Sequence, residues 1–106
     1  MVGACWGAPM PEGVVQLVVV SGTDAGLRIA LDRELVIGRE GADVVINDAE
    51  ASRRHVRLSP VPGGVEVVDL GSMNGTQVNG ITVRDHVLAD GDVITVGATS
   101  IRYEES

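Results

Sequence analysis

The 106 residues suffice for one folded domain and are too few for two, because the fraction of surface buried on folding grows with chain length. With 44% apolar and 22% charged residues, the composition excludes a disordered or fibrous chain. A net charge of −7 without a single Lys argues against nucleic acid as a partner, because binding by counterion release requires clustered cations.

The apolar residues are mainly β-branched, with 19 Val and 6 Ile against one Trp, one Tyr and no Phe. Such side chains are stiff at χ1 and suit the pleated surface of a sheet better than a helix. Composition therefore favours an all-β fold with an aliphatic core.

The chain begins with a segment rich in Gly and Pro and without apolar periodicity, residues 1–13. We expect a flexible leader or non-native end there, followed by one domain over residues 14–104. Cys5 stands alone, so no internal disulfide is expected, and no apolar run is long enough to cross a bilayer. These features predict a cytoplasmic domain without membrane insertion, monomeric by itself and either complete or part of a larger protein.

Beyond the leader, short apolar runs alternate with turn-forming residues, and no window shows the stripe of an amphipathic helix. The runs cover residues 14–20, 27–31, 35–37, 44–46, 56–58, 65–70, 93–96 and 100–103. Turn signals between them include Pro60, Pro62-Gly63-Gly64, Asn74-Gly75, Asn79-Gly80 and Asp90-Gly91. Their spacing predicts a β-sandwich of two mainly antiparallel twisted sheets with about 10–11 short strands and binding loops at one end.

One stretch shows the alternation of a half-buried strand particularly clearly. In residues 64–69, Val65 and Val67 alternate with Glu66 and Val68. A loop is expected to begin at Leu70.

Polar motifs stand where the predicted strands end. They are Gly38-Arg39, Ser52-Arg53-Arg54-His55, Asp69-Leu70-Gly71-Ser72-Met73-Asn74-Gly75-Thr76, Val78-Asn79-Gly80, and the closing segment 88–97 with Asp90-Gly91-Asp92. Each motif alone is a weak signal. In this order and at these spacings they resemble the forkhead-associated (FHA) domain of the bacterial type, over residues 14–103.

The resemblance implies a non-catalytic module that binds phosphothreonine in an extended segment of a partner protein. The partner would be a phosphothreonine-containing protein or peptide, supplied by a Ser/Thr protein kinase or its substrate, and binding would couple kinase signalling to protein assembly. The alternative is a phosphate-independent, FHA-like docking or structural domain of a larger assembly. An enzyme is disfavoured because no acid pair, metal cluster or nucleophile–base set is visible.

Arg39 is the leading candidate for phosphate binding. A phosphothreonine dianion presents strong acceptor oxygens, and the planar guanidinium donates two parallel N–H bonds that match them. The alternative for Arg39 is a surface ion pair with Glu40 or Asp43.

The Ser-x-x-His motif supplies two further phosphate-binding candidates. The resemblance transfers phosphate contact to Ser52 through its hydroxyl and to Arg53 through its side chain or backbone. Arg54 should point the opposite way in an extended segment, so no ligand contact is assigned to it.

The two histidines are not assigned to catalysis or metal binding. No second His or Cys stands at ligand spacing, so neither a metal nor another cofactor is expected. In the family the histidine of this motif supports the loops, which implies a structural role for His55. His86 is placed in a polar loop, exposed to solvent.

The remaining candidates lie in the two Asn-Gly segments. Asn74 carries both a carbonyl and an amide, and the resemblance assigns it to the backbone of the bound peptide, while the plain reading is a tight turn. Met73 departs from the common polar residue and is assigned, with Asn79, to a groove for the threonine methyl or a following side chain. Structural support of the loops is assigned to Gly38, His55, Gly75, Thr76 and Gly80.

Overall fold

The structure, a computed structural model, describes residues 15–105, and this part of the chain forms eleven β-strands and no helix. The strands are β1 (Val15–Ser21), β2 (Arg28–Leu31), β3 (Leu35–Gly38), β4 (Val44–Val45), β5 (Val56–Val61), β6 (Gly64–Asp69), β7 (Thr76–Val78), β8 (Ile81–Val83), β9 (Asp85–Leu88), β10 (Val93–Val96) and β11 (Thr99–Glu105). The leader predicted over residues 1–13, with Cys5, lies outside the described residues. Within them, no helix is long and apolar enough to span a membrane.

The strands form two sheets. One has the order β2-β1-β11-β10-β7-β8 and the other the order β4-β3-β5-β6-β9. All pairs are antiparallel except β3 with β4, which is parallel. The predicted fold class is therefore confirmed.

The inward faces of both sheets meet in one aliphatic core. Ile37, Leu58, Ile94 and Ile101 are fully buried there, and the sole Tyr of the chain, Tyr103, lies among them. Each fully buried aliphatic side chain contributes about 1.5–3 kcal/mol relative to leaving it exposed. This core holds the sandwich together, and the site lies in the loops at its edge.

Eight of the strands coincide with the predicted apolar runs, and β6 covers residues 64–69 with Val65 and Val67 buried, as the alternation predicted. Three strands, β7, β8 and β9, were not predicted as apolar runs. They have only three or four residues each, and most of those are exposed or polar. Their pairing with neighbouring strands, rather than their own pattern, makes them extended.

Two placements from the sequence are wrong. His86 lies in β9, opposite Val67 of β6, and not in a loop. It remains exposed, with its ring 3.7 Å from a carboxylate oxygen of Asp92. Pro60 lies inside β5 and not at a turn. The pairing of β5 with β3 ends at Leu58, so at Pro60 the strand has one free side, where a missing N–H is tolerated.

The Asn79-Gly80 segment is a two-residue hairpin turn between β7 and β8. Its φ angles are +54° at Asn79 and +83° at Gly80. Positive φ at both central residues is the type I′ geometry that favours Asn-Gly. The support role predicted for Gly80 therefore has a local conformational cause.

Candidate functional site

The loop between β4 and β5 lies at the centre of the site. We call its residues 50–53 the presenting segment, because their main-chain carbonyls accept hydrogen bonds from two neighbouring loops. Arg39, just after β3, donates its main-chain N–H to the carbonyl of Ser52 at 3.0 Å and its Nε–H to the carbonyl of Ala51 at 3.1 Å. The Nε bond fixes the plane of the guanidinium.

The terminal nitrogens of the Arg39 guanidinium have no hydrogen bond or ion pair within residues 15–105, and the residue is exposed. The two acids that could have neutralised Arg39 have other partners. Glu40 lies 3.4 Å from Nε of Arg53, and Asp43 accepts the main-chain N–H of Val36 at 2.9 Å. The ion pairs of the alternative reading are therefore not formed, and an oriented cation faces solvent.

Ser52 lies beside this cation with its hydroxyl oriented. Its Oγ accepts the main-chain N–H of Met73 at 3.0 Å, and its own N–H donates to Nδ1 of His55 at 3.0 Å. Because the hydroxyl oxygen already accepts a hydrogen bond, its proton remains available for an acceptor in front of the loop.

His55 is fully buried beneath the loops and joins them. Since Nδ1 accepts from Ser52, the ring proton resides on Nε2, which donates to the carbonyl of Gly75 at 2.8 Å. The main-chain N–H of His55 donates to Ile37, and its carbonyl accepts from Leu70. This geometry fits the support role predicted for His55, and both ring nitrogens are occupied.

Asn74, in the loop between β6 and β7, also contacts the presenting segment. Its Nδ2 donates to the carbonyl of Glu50 at 2.6 Å, while its Oδ1 has no partner within residues 15–105. Asn74 lies in a bend of the chain, and the following Gly75 has φ +79°. The bend and the free amide oxygen thus occur together.

Asp69 organises the loop from residue 70 to residue 76, a role that the motifs of the sequence did not predict. One carboxylate oxygen accepts the N–H groups of Gly71 at 2.7 Å and Ser72 at 2.8 Å. The other accepts the hydroxyls of Ser72 at 2.6 Å and of the buried Thr76 at 2.8 Å. Burial acts to raise the pKa of Asp69, but the hydrogen bonds from Ser72, Thr76 and Gly71 outweigh it and lower the pKa. An Asp just before Gly-Ser is the signal that could have revealed this turn.

The two residues assigned to the groove differ in their surroundings. The side chain of Met73 is 91% exposed beside the Ser52 hydroxyl and is free to contact a ligand. Asn79 uses both halves of its amide on the chain itself, donating to Asp92 at 3.0 Å and accepting from the N–H of Val93 at 3.0 Å. These contacts brace the hairpin, and the groove role of Asn79 stays a prediction.

Gly38 is required at the end of β3 because the presenting segment passes directly over it. A Cβ at this position would overlap the carbonyl oxygen of Arg53 and approach Cα of Arg54 to 2.9 Å. Arg54 is exposed and has no ion pair within the described residues. No group of His, Cys, Asp and Glu in residues 15–105 has the arrangement of a metal site.

Comparison with known proteins identifies relatives of this chain. The family model "FHA domain" matches residues 35–97. The chain is 42% identical over 97 residues to the oxoglutarate dehydrogenase inhibitor of Corynebacterium diphtheriae, covering 90% of this chain and 68% of the relative. It is 41% identical over 90 residues to the glycogen accumulation regulator GarA of Mycolicibacterium smegmatis, covering 83% and 57%. The chain therefore covers between 57% and 68% of the length of these two relatives.

Solved structures agree in fold. A chain from a structural and functional study of phosphothreonine-dependent FHA domain interactions matches with a TM-score of 0.80 at 34% identity, covering 88% of this chain and 97% of that chain. The FHA domain of FhaA, solved in complex with the intracellular domain of Rv3910, matches with a TM-score of 0.77 at 35% identity, covering 85% and 99%.

Replacing Gly38 by Ala should destabilise the domain by about 3 kcal/mol, because the added methyl meets a backbone carbonyl that cannot move alone. Urea unfolding measures the change. Gly41→Ala is the matched control, since its Cβ would meet open space and only its φ of +70° is unfavourable, at about 1 kcal/mol. Equal costs for the two variants would contradict the close approach described above.

Asp69→Asn should lower the free energy of unfolding at neutral pH by about 1–3 kcal/mol, because it removes a shared acceptor of several donors. The folded-state pKa lies below the unfolded value near 3.8, so this stabilisation is present above that pH and is lost as the pH falls through the folded pKa. The variant should therefore lose less stability than the wild type on acidification below pH 3.8. Asp32→Asn, at an exposed position, is the control for the substitution and should leave the free energy of unfolding at neutral pH unchanged. A loss of stability on acidification in the Asp69 variant as steep as that of the wild type would refute the role of this carboxylate.

Proposed function

The chain belongs to the FHA domain family, whose members are non-catalytic binding or regulatory modules, and on that premise we propose that it binds phosphothreonine in an extended segment of a partner protein. The family that the order of motifs predicted is thereby confirmed. The phosphothreonine ligand, the partner protein that carries it and the kinase that makes it are all part of this proposal.

The single observation that carries the proposal is the Arg39 guanidinium, oriented by Ala51 and left without an anionic partner in a chain of net charge −7. Two parallel N–H donors of a guanidinium suit a phosphate oxyanion, and the hydroxyl of Ser52, the residue that follows Ala51, supplies a third donor. A rigid cation with free donors in an acidic domain is best explained by an anion that binds there.

The peptide would lie across the presenting segment. The free Oδ1 of Asn74 can accept a backbone N–H of the peptide without reading its side chains. The exposed Met73 can cover the threonine methyl or a following side chain. Burying one methyl favours threonine over serine by about 1–3 kcal/mol in a formed pocket.

Arg53 is the second cation of the proposed phosphate site, and it is already paired. Its Nε lies 3.4 Å from Glu40, and both side chains are mostly exposed. Phosphate binding through this side chain would exchange one anion for another, so Glu40 competes with the ligand. The acidic surroundings would favour targets with basic flanks.

The partner would be the product of a Ser/Thr kinase, and binding would link its phosphorylation to assembly. Relatives of this chain named as an inhibitor and as a regulator support a regulatory role for the domain. The FHA domain of FhaA in complex with an intracellular domain supports a protein as the ligand.

Calorimetry with a phosphothreonine peptide and its unphosphorylated form tests the proposal. The phosphopeptide should bind in the micromolar range and the unphosphorylated form should not bind. Arg39→Ala and Ser52→Ala should each weaken binding at least about tenfold, since hydrogen bonds to a charged group are worth roughly 1.5–3 kcal/mol. Arg33→Ala, an exposed arginine on another loop, is the control.

Wild-type affinity in both site variants would show that the site is assigned wrongly. Equal binding of the two peptides, or capture of a partner that survives phosphatase treatment, would favour the phosphate-independent docking domain instead.

Glu40→Gln should raise the affinity for the phosphopeptide about two- to fivefold at low salt, because an exposed ion pair that competes with phosphate is worth roughly 0–1 kcal/mol. The gain should shrink as salt screens the charges. Glu34→Gln is the control, since Glu34 lies 3.9 Å from Nε of Arg57, in an ion pair outside the site that is less exposed than the pair of Glu40 with Arg53. An unchanged or weaker affinity in the Glu40 variant, measured across salt concentrations, would contradict the competition.

A further inference from the structure

A buried carboxylate lies two residues before the presenting segment, in the same β4–β5 loop. Asp48 is 8% exposed. Its Oδ2 accepts the hydroxyl of Thr99 at 2.6 Å and the main-chain N–H of Ala98 at 2.8 Å. Ala98 lies in the turn between β10 and β11 and Thr99 is the first residue of β11, so Asp48 ties the β4–β5 loop to a distant part of the chain.

Asp48 also holds the first residues of the presenting segment. Its Oδ1 accepts the main-chain N–H of Glu50 at 2.9 Å, and its carbonyl accepts the N–H of Ala51 at 3.1 Å. The carbonyls of these same two residues accept the side chains of Asn74 and Arg39. The direction of each acceptor therefore depends on bonds made by Asp48.

The β10–β11 turn packs directly against the presenting segment. Gly97, with φ +61°, would bring a Cβ within 2.8 Å of the nitrogen of Ala51 and 2.9 Å of the carbonyl carbon of Glu50. No side chain fits between the turn and the segment. The turn is thus a fixed support for Asp48 and for the segment together.

We propose that Asp48, anchored to the β10–β11 turn, is a positioning residue of the phosphopeptide site. Asp48 fixes the direction of the carbonyls of Glu50 and Ala51. These carbonyls in turn orient the Asn74 amide and the Arg39 guanidinium. This inference goes one step beyond the proposed function and rests on it.

The role requires a carboxylate rather than its isosteric amide. The two oxygens of Asp48 face three donors, two of them main-chain N–H groups on opposite sides, Glu50 and Ala98. An Asn amide would turn its NH₂ toward one of these N–H groups in either orientation. Burial acts to raise the pKa of Asp48, but the hydrogen bonds from Thr99, Glu50 and Ala98 outweigh it and lower the pKa, which keeps the group ionised.

The test compares Asp48→Asn with Asp92→Asn in the full chain. Asp92 is a matched control, because it also accepts main-chain and side-chain donors, from Ala89 and Asn79, but at another turn. For each variant, urea unfolding gives the stability and calorimetry gives the affinity for the phosphothreonine peptide. The NMR signals of the Arg39 Nε–H and the Asn74 side-chain amide report their hydrogen bonds in the free protein.

Asp48→Asn should weaken peptide binding roughly tenfold and move both NMR signals, whereas Asp92→Asn should leave binding and signals unchanged at a similar loss of stability. The inference is overturned if Asp48→Asn binds like the wild type, or if the two variants move the signals equally. Should Asp48→Asn not fold, Thr99→Val, which removes one donor at nearly constant volume, must still shift the Arg39 signal and weaken binding.

The signals are read without ligand, so they judge the positioning role even where the proposed function fails. A wild-type protein that does not bind the phosphopeptide contradicts the proposed function. Unmoved Arg39 and Asn74 signals in Asp48→Asn contradict the positioning role.

Discussion

The site depends on one constraint: the main-chain carbonyls of residues 50–53 must find hydrogen-bond donors. A loop that leaves a sheet edge must find partners for its main-chain groups, and here those partners are the very side chains proposed to bind the ligand. Arg39 and Asn74 each donate to a carbonyl of this presenting segment. Hydrogen bonds that satisfy the loop thereby orient the recognition groups, while His55 and Asp48 accept main-chain N–H groups of the loop.

Net charge and local charge act on different scales in this domain. The value of −7 describes a field that repels anions at long range and is screened by salt. At the site, Arg39 keeps free donors because Glu40 pairs with Arg53 and Asp43 with a main-chain N–H. The absence of Lys leaves phosphate recognition to guanidinium groups, whose planar geometry the presenting segment can orient.

Much of the architecture follows from local patterns. The alternation around Val65 and Val67 predicts β6. The Ser-x-x-His spacing brings the His55 ring within hydrogen-bond distance of the Ser52 main-chain N–H. The strands β7 to β9 escape prediction because few of their residues are buried, and neighbouring strands impose the extended form. Asp48 also escapes prediction, since its donors on Ala98 and Thr99 lie 50 and 51 residues further along the chain. Long-range hydrogen bonds of this kind leave no periodic trace in a sequence.

The most direct measurement of the central idea is a crystal structure of the domain with a phosphothreonine peptide. In that complex, the terminal nitrogens of Arg39 and the hydroxyl of Ser52 should lie within hydrogen-bond distance of the phosphate. The presenting segment should keep the backbone bonds to Arg39, Asn74 and Asp48 seen in the free protein. A peptide bound on a sheet face, or a presenting segment rebuilt around the phosphate, would contradict the central idea.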